Sequence, residues 1–174
     1  GGNVFVYDAN STELLYVLDK HEWSINQALF SPDGKLILTA SGNTLRAFDL
    51  NTGKLEYSRR DHTAHIGSIN FNPDANLLIT ALEYDAQGFS QTESKARIYN
   101  LEDGKPVHVL QGETVGINSI EYVIKNKFEL ISTNDSVAIL WDCSKGKTKQ
   151  EYFGHKGPVI DAICSTDLNF VFTA

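Results

Sequence analysis

Ala138-Ile139-Leu140-Trp141-Asp142 is one of four stretches that end in an aromatic residue followed by Asp or Asn. The others are Val4-Phe5-Val6-Tyr7-Asp8, Leu45-Arg46-Ala47-Phe48-Asp49 and Ala96-Arg97-Ile98-Tyr99-Asn100. Successive aromatics stand 41, 51 and 42 residues apart. The period is therefore 41–42, with one insertion of roughly ten residues, and self-similarity at such a spacing marks a repeat architecture.

A second landmark keeps the same phase. His21 is followed at offsets 4, 7 and 9 by Ile25, Ala28 and Phe30, and His62 by Ile66, Ile69 and Phe71. Glu113 is followed by Ile117, Ile120 and Tyr122, and His155 by Val159, Ala162 and Cys164. Turn signals separate these landmarks. Ser31-Pro32-Asp33-Gly34 and Asn72-Pro73-Asp74-Ala75 combine a Pro that pre-sets φ with an Asp that bonds nearby backbone. Asn51-Thr52-Gly53-Lys54, Glu102-Asp103-Gly104-Lys105 and Ser144-Lys145-Gly146-Lys147 read as hairpin connections.

Between the turns lie short runs rich in Ile, Val, Leu, Phe and Tyr, which predict strands. No stretch holds a helical period for three turns. Each period thus encodes four antiparallel strands, a to d. In the second unit they are expected near 25–30, 36–40, 45–49 and 54–58. Strand c is expected over 44–49, 95–100 and 137–142, with helix content near zero. One such sheet cannot bury both its faces, whereas neighbours stacked radially can. The predicted fold is all-β, a β-propeller of four-stranded blades.

The pattern resembles the WD-repeat β-propellers over essentially the whole chain. The likeness is carried by Gly154-His155, Phe30-Ser31-Pro32-Asp33-Gly34 and Trp141-Asp142. It implies a hydrogen-bonded His, Ser or Thr, Asp and Trp set within a blade. The unit ending at Trp141 has Asp135 and Ser132, with Glu113 in place of His. The second unit has His21 and Thr39, with Phe48 for Trp and Gly42 where Asp belongs. The third has His62, Thr80, Tyr99 and Glu93 near the Asp position. The expected structural blade residues are His21, His62, His155, Ser132, Asp135 and Trp141.

The chain enters the pattern at strand c and leaves it at strand b. Its units fall near 1–18, 19–58, 59–110, 111–153 and 154–174, the first and last partial. A closed four-bladed ring, an eight-bladed ring shared by two chains, and a segment of a longer propeller all fit. Since WD-repeat proteins usually close with seven or eight blades, the resemblance favours the segment. The absence of Met points the same way.

Composition narrows the function. The 174 residues carry 22 acids against 15 bases, a net charge of -7, which disfavours nucleic acid and anionic lipid as direct partners. No apolar run is long enough to span a membrane, and the start has neither a signal-peptide pattern nor a myristoylation motif. Cys143 and Cys164 lack metal spacing, and two free thiols fit a reducing, intracellular setting, cytoplasmic or nuclear. The sequons at Asn10 and Asn134 read as turn residues.

Catalysis is not expected. His21, His62 and His155 share one repeat position, and a residue used once per blade serves the blade. His65 and His108 stand outside the repeat, without an acid or Cys at triad or metal spacing. No phosphate-cradling glycine loop is present, so no cofactor, metal or small-molecule substrate is expected. Lys145, Lys147 and Lys149 read as a solvated edge that resists strand pairing.

What remains is binding. The d–a and b–c connections share one face of the disc. There Trp23 stands two residues after His21, and the extra residues form 82–94, with Tyr84 and Phe89. Aromatics beside an insertion resemble an interface hot spot. The alternative is that Trp23 folds down onto Ile25 and its neighbours. The expected function is a protein–protein interaction scaffold within a multiprotein assembly; the alternative is a peptide or modified-residue recognition module using the central opening.

Overall fold

The computed structural model describes residues 2–72, 74, 76–82, 96–110, 117–123, 136–165, 167 and 169–174, and the backbone of 128–133. Among them every regular element is a strand. β1 (Val4–Tyr7) and β2 (Leu14–Leu18) pair antiparallel. β3 (Ile25–Phe30), β4 (Leu36–Ser41), β5 (Thr44–Asp49) and β6 (Leu55–Arg59) form a four-stranded meander in sequence order. β7 (Ile66–Phe71), β8 (Leu77–Leu82), β9 (Ala96–Asn100) and β10 (Pro106–Leu110) form the next. β11 (Ile117–Val123), β12 (Phe128–Thr133), β13 (Val137–Asp142) and β14 (Lys147–Phe153) form another, so that β1–β2, β3–β6, β7–β10 and β11–β14 belong to the first to fourth blades, and β15 (Ala162–Cys164) pairs with β16 (Val171–Thr173). The strands follow the repeat, with strand b of the second blade running on to Ser41 and strand d starting at Leu55.

The sheets stack through both faces. Alternation along β4 sends Leu38 to the seam with the third blade and Ile37 to the seam with β1 and β2. Along β8, Leu78 joins the former seam and Ile79 the seam with the fourth blade, where Trp141 is fully buried. A small cluster of Val123, Ala138, Val159 and Ala162 joins the fourth blade to β15. Each such buried aliphatic contributes about 1.5–3 kcal/mol relative to exposure, and no single sheet could bury them.

The inner strands lie side by side: β3 neighbours β7, β7 neighbours β11, and β11 neighbours β15. Asn26 and Asn118 hold equivalent positions and donate to the carbonyls of Ile66, at the start of β7, and Val159, ahead of β15, at 2.8 and 2.7 Å. At the outer edge, strand-d rings press on the next blade's c–d turn. The hydroxyl of Tyr16 donates to the carbonyl of Leu50, and that of Tyr57 to Leu101. Gly104 makes this approach feasible: its φ is +65°, and a Cβ would stand 2.6 Å from the Tyr57 ring. The architecture is a radial array of blades.

Candidate partner-binding face

The face considered is formed by the d–a connections before β3 and β7 and the b–c turn between β4 and β5. Its frame is a repeated anchor. His21 Nε2 shares a 2.8 Å hydrogen bond with Thr39 Oγ1, and His62 Nε2 one of 2.7 Å with Thr80 Oγ1. His155 does the same with Thr173 at 2.6 Å. Each bond ties a d–a connection to strand b of the blade it introduces. His21 and His62 are buried, and His155 is half-buried. The His21 ring leans on Phe48, and that of His62 stands edge-on to Tyr99.

Burial holds the His21 imidazole below its ordinary pKa, and the nearby Arg46 guanidinium adds to the effect. The carbonyls of Leu18 and Gly2 and the Asp19 carboxylate act in the opposite sense. At neutral pH the ring is therefore neutral and fit to hold Thr39.

In the fourth blade, pairing places Ile131 between Ile120 and Ile139. That is the register position of Thr39 between Ala28 and Arg46. Ser132 stands one position further on. Trp141 is fully buried, and its indole N–H meets no acceptor among the described residues. Asp135, Tyr84 and Phe89 lie outside the described residues.

Trp23 is held by its backbone and left open at its side chain. Its carbonyl accepts from the Gly2 N–H at 3.0 Å and the Ser41 hydroxyl at 2.9 Å. The indole lies across the b–c turn at Gly42, where a Cβ would stand 2.7 Å from it. The His65 ring stands 5.8 Å away, tilted. With 53% of its surface exposed, Trp23 lies over the turn at Gly42. Gly42 also accepts a 2.8 Å hydrogen bond from the Ile66 N–H, so the platform is tied to the third blade.

Sequence reasoning passed over Arg46. It lies on β5, buried to 8% exposure. Leu45 and Ala47 face the third blade while Phe48 faces β1 and β2, so alternation turns Arg46 toward the latter seam. Desolvation lowers its pKa, Glu22 raises it, and Arg60 lowers it again. Glu22 and Arg60 form a 3.7 Å ion pair, both more than half exposed. The signal in the sequence was a cation two residues before the aromatic, at Arg46 and again at Arg97.

The turn-face groove between the second and third blades is lined by Asp33, Lys35, Asp49, Glu56, Asn100 and Glu102. Among the described residues no group of three His, Cys, Asp or Glu is arranged to hold a metal ion. No helix of theirs is long and apolar enough to cross a membrane.

The model of the WD domain, G-beta repeat, matches residues 12–49. A WD repeat-containing protein of Dictyostelium discoideum is 41% identical over 64 residues, 37% of this chain and 11% of that protein. The sterol regulatory element-binding protein cleavage-activating protein of Xenopus laevis is 35% identical over 69 residues, 40% of this chain and 5% of its own length. The matches thus span only a small part of either relative. The crystal structure of the computationally designed Ika8 protein superposes with a TM-score of 0.82 at 18% identity, over 99% of this chain and 49% of that one. WD repeats generally act as protein-interaction scaffolds. Repeat, blade topology and these likenesses agree in placing a WD repeat at residues 12–49 and WD-repeat-like blades along the described residues.

Proposed function

We propose that the chain is a non-catalytic scaffold that holds a partner protein of a multiprotein assembly on the face carrying Trp23. The observation behind this reading is that Trp23, fixed through its carbonyl and braced on Gly42, leaves half of a large rigid side chain in solvent. Aromatics presented this way anchor interfaces at low entropic cost. Tyr84 and Phe89 join the same reading through the sequence alone.

The titratable groups support a structural role over a catalytic one. The three repeated histidines each bond a threonine, His65 braces Trp23, and His108 lies against Gly146. The free thiols of Cys143 and Cys164 fit a reducing intracellular compartment. Affinity capture with the wild type, Trp23→Ala and a deletion of 83–94 tests the reading. Both variants are expected to lose a partner that the wild type holds; full retention by both places the interface elsewhere.

A further inference from the structure

The second, third and fourth blades each join strand b to strand c, as β4 to β5, β8 to β9 and β12 to β13. Two half-blades do not. Among the described residues β1 pairs only with β2, and its other edge, where a strand b belongs, is open. β16 pairs only with β15, and its open edge is where a strand c belongs. One half supplies strands c and d, the other strands a and b.

Side chains at these places are exposed where their repeat counterparts are buried. Phe48, Tyr99 and Trp141 are buried, but Tyr7 at the same position is 56% exposed. Thr173, like Thr39 and Thr80, is bonded by its blade's histidine, which fixes the register of β16. One residue earlier stand Leu38 and Ile79, both buried, and Phe172, which is 63% exposed. Phe30 is 62% exposed, while Phe71 and Tyr122 in the next two blades are buried. Val6 packs on the second blade and Val171 on the fourth, so alternation turns Tyr7 and Phe172 away from those blades.

We propose that a second copy of this chain covers both places: β16 of one copy pairs with β1 of the other, and two such composite blades close the pair into one ring. The register of the second blade carries over. There Thr39 faces Arg46 and Ile37 faces Phe48; the composite blade sets Thr173 opposite Phe5 and Val171 opposite Tyr7. Phe172 and Ile163 of one copy then meet Phe30 of the other, just as Leu38 and Leu29 share a cluster with Phe71. Both open strand edges gain the partner that every other b and c strand has. Phe5, Tyr7, Phe30, Phe170 and Phe172 are each more than half exposed. Their rings contribute on the order of 600 Å² at one junction and about 1,200 Å² over both, which is the area a stable dimer needs before any other side chain is counted. The proposal stands apart from the Trp23 face.

The test measures the mass of the chain in solution by light scattering, beside cysteine cross-linking. The expected mass is twice the 19.3 kDa of one chain. Phe172→Asp, open in a single copy and covered at the junction, is expected to weaken the dimer by about a hundredfold or more while the circular dichroism stays that of the folded chain. Trp23→Ala is expected to remain dimeric. Should Phe172→Asp fail to fold, the cross-links decide. Tyr7→Cys with Val171→Cys, in a Cys164→Ser background, is expected to give a covalent dimer on oxidation, because directly opposed residues of paired strands lie within disulfide reach. Tyr7→Cys with Phe172→Cys, on opposite faces, is expected to give none. A single-chain mass, a mass above two chains, a bridge formed within one chain, or a dimer that the Tyr7→Cys and Val171→Cys pair does not join overturns the proposal.

Discussion

The hydroxyl of Tyr57 donates a 2.9 Å hydrogen bond to the carbonyl of Leu101, and the two residues belong to adjacent blades. Arg59 reinforces the seam with 2.7 Å bonds to the carbonyls of Gly104 and Asp103, its guanidinium over the Tyr57 ring. Burial pushes the phenol pKa up to about 12, so it stays a donor at any ordinary pH. Tyr57→Phe keeps the ring packing and leaves the buried Leu101 without this donor. The expected cost is about 1–2 kcal/mol in denaturant melts. A cost near zero indicates that the outer seam is held by packing alone.

Thr12 adopts a φ of 61°, at the turn position where later blades carry Gly53, Gly104 and Gly146. A β-branched residue is strained there. Thr12→Gly is expected to stabilise the chain by about 1 kcal/mol, a rise of a few degrees in melting temperature. A drop would show that the threonine side chain contributes more than its backbone strain costs.

Trp141 is fully buried in the seam between the third and fourth blades. Truncation to alanine removes a large ring from a packed interior and is expected to cost about 3–5 kcal/mol. A cost below about 1 kcal/mol, well under what burial of such a side chain implies, would mean that the seam closes without it.

His21 links stability to pH. Its folded pKa lies below the ordinary histidine value, so between the two the unfolded chain binds the extra proton. The contribution is complete above about pH 6.5 and is lost as pH falls below that toward the folded value. Asp8, Asp33 and Asp49, whose pKa values hydrogen bonds depress, act only below about pH 4. Melts at pH 7.5 and 5.5 are expected to show a lower melting temperature at the acid value. The difference should shrink in His21→Gln, and an equal difference in both proteins assigns the effect to another group.

The repeat made the strands legible because Phe48, Tyr99 and Trp141 recur at a fixed distance from the end of strand c. The anchor was legible at His21 and Thr39 for the same reason. Arg46 was not, since its burial follows from the packing of the seam with β1 and β2, which the repeat does not encode. Ser132 shows a second limit. Counting back nine residues from the aromatic reaches Thr39 in the second blade and Ser132 in the fourth, while the pairing puts Ile131 at the equivalent site. One residue of extra length between strands b and c moves such a count off the paired register position. The resting place of Trp23 on Gly42 was likewise a contact between connections that no periodicity encodes.

The most direct measurement is the affinity of the captured partner for wild type and Trp23→Ala, taken beside thermal melts of both. Trp23 is half exposed and touches the rigid turn at Gly42, so its removal is expected to leave the melting temperature nearly unchanged. Loss of a central aromatic anchor is expected to weaken binding by about 2 kcal/mol, roughly thirtyfold. Unchanged affinity, or a fall in melting temperature of several degrees that accounts for the lost binding, contradicts a partner-binding role for this face.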